Sequence, residues 1–295
     1  METNRLLKTE LARKMHRITG EELARLKQIS LEILTDIAAV CEREGIPYML
    51  GGGTALGAVR HQGFIPWDDD IDINVPRSCI ERLLDAVEAE YGDKYYIEAP
   101  LRTPEYWSSF VQIHRNGTVF RERRMQERDK CGVKIDIFPI ENTYSGRIRR
   151  FFHGVQCDLG LLILSCWRMY TWRREYLELA AGTRRAVFLV RVKGMIGMLF
   201  APAHGFWYRK IQRCLSKCRD ENTDYVVMPS GKGHFRGEIY PRKPFLSLEP
   251  ILFEGREFMI SQMKTEYLRQ LFGEDYMRLP PEEEREYHVL YELKL

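Results

Sequence analysis

Leu50-Gly51-Gly52-Gly53-Thr54-Ala55-Leu56-Gly57-Ala58-Val59-Arg60-His61, and after one residue Gly63-Phe64-Ile65-Pro66-Trp67-Asp68-Asp69-Asp70-Ile71-Asp72-Ile73, set the architecture of this 295-residue chain. Residues 46–50 read as a short buried strand that runs straight into the glycine turn, and residues 55–60 continue as a helix. From Asp70 onward polar and apolar residues alternate with the period of a strand, entered through a turn led by Pro66.

In a strand, residues two apart share a face, so Asp70 and Asp72 present two carboxylates side by side while Ile71 and Ile73 turn to the core. Like charges this close repel. A divalent cation between them relieves the repulsion, and Mg²⁺, with its demand for oxygen ligands at about 2.0–2.1 Å, suits such a pair. Asp136, between Ile135 and Ile137 with Lys134 on its own face, would supply a third carboxylate from a neighbouring strand. The competing reading makes residues 68–72 a solvated acidic turn and Asp136 an unrelated surface residue; the apolar neighbours argue against it, because they bury the backbone and oblige the carboxylates to find a partner. The glycine turn offers backbone N–H groups and a helix N-terminus to phosphate oxygens, although glycine pairs more often form tight turns than phosphate sites. It has neither the Lys-Ser/Thr ending of a P-loop nor the GxGxxG spacing.

Upstream, Thr19-Gly20-Glu21-Glu22 has the capping-box form, and Leu23, Leu26, Ile29, Ile33, Leu34, Ile37 and Cys41 form the apolar stripe of a helix ending at Gly45. Downstream, a helix is expected over 78–91, short strands over 95–98, 108–114 and 118–121, and an alternating strand over 134–138. Short strands among helices predict an α/β or α+β domain ending near Ile140. Residues 147–218 read as helical. Strands are expected again over 225–228 and 251–260, then a helix over 264–272 and an acidic tail.

The net charge of +3 hides a strong asymmetry. Between Ser145 and Arg219 there are 15 Lys/Arg against Asp158, Glu175 and Glu178, a net +12 that leaves −9 for the rest. With Trp167, Tyr170, Trp172, Phe206, Trp207 and Tyr208 among the arginines, this segment has the composition of helices lying in an anionic membrane interface, or of a helical subdomain packed on the core with solvated arginines. Nucleic acid is not an expected partner, since no recognised binding module accompanies the charge. No signal peptide and no membrane-crossing run are expected, because no uncharged apolar stretch reaches about 18 residues. Seven cysteines spread over the chain suit reduced thiols in the cytoplasm. Cys214 and Cys218, four apart without a second pair, read as buried thiols rather than zinc ligands; His61 and His114 read as isolated histidines.

The ordered string of glycine turn, Asp-Ile-Asp-Ile and a later Lys134-Ile135-Asp136-Ile137-Phe138-Pro139 resembles the nucleotidyltransferase fold of the polymerase-beta type, and within it the LicD/fukutin family. Phe253-Glu254-Gly255-Arg256-Glu257-Phe258 and Leu271-Phe272-Gly273-Glu274-Asp275-Tyr276-Met277-Arg278-Leu279-Pro280-Pro281 resemble that family's C-terminal signature, with Ile260-Ser261 departing from its Ile-Pro. The resemblance implies an α+β nucleotidyltransferase-type mixed sheet with flanking helices and a helical insertion. Its parts would be an N-terminal helical lead-in (1–45), a catalytic core (46–140), the basic aromatic helical segment (141–220) and the C-terminal part of the LicD-like domain (221–295).

The family transfers a phospho-alcohol, typically phosphocholine, from a CDP-activated donor to a hydroxyl of a cell-surface glycan. The implied site has Asp70, Asp72 and Asp136 holding Mg²⁺ or Mn²⁺, Asp136 drawing the proton from the acceptor, Asp68 as a supporting acid, and Gly52, Gly53 and Thr54 on phosphate oxygens. Arg60 would neutralise the diphosphate or pair with Asp68 or Asp69. Lys134 would act on the Asp136 face or extend to solvent, and Trp67 would stack on a base or choline or belong to the core. The implied partners are a CDP-alcohol donor, a glycan or lipid-linked glycan acceptor and an anionic membrane surface at the inner face of the cytoplasmic membrane. The rivals are transfer of a nucleotide from an NTP to a small substrate, and a non-catalytic role in glycan assembly.

Overall fold

The structure, a computed structural model, describes residues 16–18, 20–121, 131–281, 285, 289–290 and 292–295. Helix α1 (Gly20–Glu44) buries the expected stripe, including Leu26, Ile33, Leu34, Ile37 and Cys41. It stops where Gly45 takes a φ of +60°, and Gly45 N and Ile46 N donate back to the carbonyls of Glu42 and Cys41 at 3.2 and 2.8 Å. That is the Schellman pattern, which glycine accommodates without steric penalty. The capping box expected at Thr19 lies outside the described residues.

Strand β2 (Met49–Leu50) follows the minor strand β1 (His16–Arg17), and α2 (Gly52–His61) leads to β3 (Asp72–Pro76). Helix α3 (Arg77–Tyr91) precedes β4 (Tyr95–Glu98), β5 (Val111–Arg115), β6 (Val119–Arg121) and the ten-residue β7 (Lys134–Thr143). The main sheet runs β2-β3-β7-β5-β4. Only the β3–β7 pair is parallel; β2–β3, β5–β7 and β4–β5 are antiparallel. The chain is therefore α+β with a mixed sheet. Ile73, Val75, Val111, Ile113, Ile135 and Ile137 are fully buried, and α1 and α3 pack on β7.

Three expectations shift. The strand read over 46–50 is confined to Met49–Leu50, and α2 starts at Gly52 rather than Ala55, because Gly51 N is bonded to Asp72 O at 2.9 Å and Ala55 N already donates to Gly51 O at 2.8 Å. The glycines are thus the first helical turn. Asp70 lies just ahead of β3, although its alternation with the buried Ile71 and Ile73 persists.

The basic segment is helical: α4 (Arg147–Thr171), α5 (Arg173–Ala180), α6 (Arg184–Phe200) and, after a 3₁₀ turn at Ala201–Ala203, α7 (His204–Leu215). One core, with Cys157, Leu164, Tyr208 and Ile211, is shared with Val227 and Phe235 from the returning chain, whereas another, with Met169, Leu179, Ala186 and Val190, lies within the segment itself. At Gly197 a Cβ would lie 2.1 Å from the Cys166 carbonyl, so only glycine lets α6 approach α4 there. Outer faces stay apolar and uncovered, with Ile148 and Leu199 each 74% exposed and Phe152 and Phe188 beside them in kind. Contrary to the expectation from uncharged runs, one helical run among the described residues, Arg184–Leu215, is long and apolar enough to cross a membrane. Only 17% of its most apolar window is buried.

The chain then returns to the sheet. β8 (Tyr225–Val227) pairs with the second half of β7, and β9 (Ile239–Pro241) with β8, around the single turn α8 (His234–Gly237). After α9 (Arg242–Phe245), β10 (Leu248–Phe253) and β11 (Arg256–Ser261) form a hairpin whose Glu254-Gly255 turn has positive φ at both positions, as a two-residue hairpin of this twist requires. Helix α10 (Lys264–Phe272) packs on α2. Two short strands not foreseen from the sequence, β12 (Val289–Leu290) and β13 (Glu292–Lys294), pair with β1 and β6.

Candidate active site

Asp72 and Asp136 sit opposite one another on the two parallel strands, a register secured by Asp136 N donating to Ile71 O at 2.9 Å. Asp70 and Asp68 stand on the approach to β3, close enough to act on Asp72. Burial first, then Asp70, Asp136 and Asp68, hold the Asp72 carboxyl well above its ordinary range; the Lys134 ammonium opposes them. The Asp136 carboxylate accepts from Lys134 Nζ at 3.3 Å and from Gln112 Nε2 at 2.8 Å. Gln112 faces Asp136 across β5–β7, a partner visible in the sequence only once the register is known.

The glycine turn lies against these acids. A Cβ on Gly52, whose φ is +45°, would sit 2.5 Å from Asp72 Oδ2, and one on Gly53 would sit 2.9 Å from Asp68 Oδ2. Any larger residue would fill the space in front of the carboxylates. Gly52 N donates to Tyr267 Oη at 2.8 Å, and the buried Thr54 hydroxyl accepts from Asp72 N at 2.8 Å. Thr54 therefore fastens turn to strand. The N–H groups of Gly53 and Thr54, in the first turn of α2, have no acceptor within the helix and carry its partial positive charge.

Among the remaining predicted residues, Arg60 donates not to Asp68 or Asp69 but to the Tyr276 carbonyl at 3.0 Å and to His61 Nε2 at 3.0 Å, while Asp68 acts on it at longer range. Trp67 packs at the rim of the main core with the Arg285 guanidinium 4.4 Å over its ring. His114 is buried, its Nδ1 3.1 Å from the Gly132 carbonyl oxygen. Two further groups were not foreseen. Lys27, from α1, donates to the Ile65 and Pro66 carbonyls at 3.1 Å; burial pulls its ammonium down, while Asp68, Glu254 and Asp69 act in the opposite sense. Glu254, at the β10–β11 turn, accepts from Phe64 N at 2.9 Å. Their sequence separations from the acids give no local signal.

The donor set is all oxygen, clustered and mutually repelling, which fits a hard divalent cation. The carboxylates do not close on one another: among the described residues, the three-ligand group with atoms all within 4.8 Å is His153, Cys157 and Cys214, in the helical segment.

Residues 45–154 match the LicD/FKTN/FKRP nucleotidyltransferase domain. The lipopolysaccharide cholinephosphotransferase LicD of Haemophilus influenzae is 30% identical over 275 residues, covering 90% of this chain and 94% of that protein. Ribitol 5-phosphate transferase FKRP, from human and mouse alike, is 46% identical over 39 residues, 13% of this chain and 8% of that protein. With the acid cluster on a mixed α+β sheet, these relatives make the chain a phosphotransferase. It belongs to the LicD/FKTN/FKRP family.

Proposed function

We propose that the protein transfers phosphocholine, or a related phospho-alcohol, from a CDP-activated donor to a hydroxyl of a cell-surface glycan such as a lipopolysaccharide, teichoic acid or capsule precursor. The observation that supports it most is the Asp72–Asp136 pair on adjacent parallel strands, faced by a side-chain-free Gly52-Gly53 turn. Mg²⁺, or Mn²⁺ in its place, held by Asp70, Asp72 and Asp136, would neutralise the diphosphate. The nucleotidyltransferase-type fold belongs to the same reading.

The acceptor oxygen attacks the phosphorus that carries the alcohol, the bond from that phosphorus to the bridging diphosphate oxygen breaks, and CMP leaves with the bond's electrons. Asp136, oriented by Gln112 and Lys134, takes the hydroxyl proton. The first-turn N–H groups of α2 receive phosphate oxygens, with Asp68 as a supporting acid. Arg60 holds the C-terminal segment against α2 and adds positive charge nearby; Trp67, beside the acids, is offered to the base or the choline. Positioning and charge neutralisation are most of what phosphoryl transfer demands of a protein.

The acceptor is met at the inner face of the cytoplasmic membrane. The uncovered apolar faces of α4 and α6, set among a net +12 of charge, suit an anionic bilayer and a lipid-linked glycan. The deciding experiment is a panel of CDP-alcohols with and without Mg²⁺. Metal-dependent CMP release from CDP-choline or a congener supports the reading; pyrophosphate released from an NTP, with no CMP from any CDP-alcohol, replaces it by nucleotidyl transfer.

A further inference from the structure

His153 and Cys157, one turn apart on α4, share a face, and Cys214 meets them from the last turn of α7. A ring nitrogen of His153 and the two sulfurs all lie within 4.8 Å of one another, and the sulfurs are 4.0 Å apart. Two thiolates bound to one tetrahedral Zn²⁺ at about 2.3 Å stand about 3.8 Å apart, so the helices already hold them near that spacing.

His153 is 2% exposed, and its Nε2 lies 2.8 Å from the Cys214 carbonyl oxygen. An oxygen acceptor there makes Nε2 the protonated nitrogen and leaves the lone pair on Nδ1. Nδ1 is buried and has no hydrogen-bond partner among the described residues. A ligating histidine commonly donates its other ring N–H to a backbone carbonyl, which fixes the tautomer. Here Nε2 is committed to the Cys214 carbonyl, and Nδ1 is the ring nitrogen left with an unused lone pair.

A purely structural explanation is available for half of this. His153 Nε2 and the Cys157 thiol, 3.7 Å from the same oxygen, cap the carbonyl end of α7. It leaves the orphaned Nδ1 and the sulfur-to-sulfur approach unaccounted for.

We propose that His153, Cys157 and Cys214 bind Zn²⁺ and so clamp α4 to α7. A water molecule, or the Gln156 side-chain oxygen 3.9 Å from Cys214 Sγ, completes the tetrahedron. Binding releases the two thiol protons to solvent, and the two thiolates balance the charge of the ion. The ligands are soft where those of the carboxylate site are hard, so the two sites take different ions.

The test uses the full chain, purified with a thiol reductant, stripped with chelator and titrated with Co²⁺ as an optical probe. One Co²⁺ per chain is expected to give thiolate charge-transfer and tetrahedral ligand-field bands that Zn²⁺ abolishes. Those bands should be unchanged in Asp70→Asn, absent in Cys214→Ser, and weakened at least about tenfold in apparent affinity in His153→Gln. Because Cys157 is fully buried, the partly exposed Cys214 carries the decisive variant, with its fold verified by circular dichroism. Absence of the bands from the wild type, or their survival in Cys214→Ser, overturns the proposal. A melting temperature that Zn²⁺ raises equally in wild type and Cys214→Ser does the same.

Discussion

The surroundings of Asp72 oppose its ionisation. Its carboxyl binds a proton more tightly in the folded chain than at the ordinary value of 3.8, through burial first and then Asp70, Asp136 and Asp68. Its contribution to stability is therefore complete below about pH 4 and is lost as pH rises through the elevated folded value. In chelator, Asp72→Asn should gain melting temperature relative to wild type as pH climbs from about 4 to 8, and saturating Mg²⁺ should narrow the gap. A difference that ignores both pH and metal would refute the cluster as an electrostatic unit. Asp70→Asn and Asp136→Asn should lower turnover by about 10²-fold or more, the scale of losing one electrostatic stabiliser, with melting temperature unchanged or raised. Turnover within a few fold of wild type in either variant would remove it from the site. Gly52→Ala places a methyl 2.5 Å from Asp72 Oδ2, so CMP release should fall, while Gly117→Ala, equally at a positive φ but with a methyl that meets nothing within 4 Å among the described residues, leaves it intact.

Helix α10 shows what an element contributes beyond its own residues. Tyr267 accepts from Gly52 N and, at 3.4 Å, from Asn74 Nδ2, while its ring packs with Tyr240 and Phe245. Tyr267→Phe keeps the ring and strands a backbone N–H, so the variant should lose about 1–3 kcal/mol in denaturant titration. A neutral result would mean that the turn is held by β3 alone. The bounds of this helix, 264–272, were legible in the sequence, as were β4, the stripe and stop of α1, and the alternation of β7 around Asp136. Those signals are local: period, glycine, charge spacing. The short β2 and the start of α2 were not, because a bond from Gly51 to Asp72, made across the sheet, decides where one ends and the other begins. Gln112, Lys27 and Tyr267 were missed for the same reason. Each reaches the site from a distant element, and nothing beside it in the chain announces that.

For the whole molecule, the division of charge foreseen from the sequence coincides with the division of structure, since the basic segment is the helical one that leaves its apolar faces open. Arg173, Arg174, Arg184 and Arg185 lie on its exposed surface. Replacing all four with Gln should release the protein from anionic vesicles at low salt and spare turnover on a soluble acceptor, because surface attraction of this kind is summed Coulomb energy screened over about 8 Å at physiological salt. Sedimentation with and without added salt measures it; a wild type that never sediments with anionic lipid returns these helices to the role of a packed subdomain. The hydrogen bond from Gly52 to Tyr267 also spans 215 residues, with the helical segment between its ends. A ribosome needs about 10–40 s to synthesise that stretch at 5–20 residues per second. In the later part of that interval, once Asp136 has been made, a nascent chain possesses all four carboxylates and a glycine turn tied to β3 through Gly51 and Thr54, yet lacks the Tyr267 hydroxyl that receives Gly52 N. That contact thus forms only after the segment we assign to the membrane has been made, so an enzyme still being synthesised has the chance to find its surface before the glycine turn is fully held.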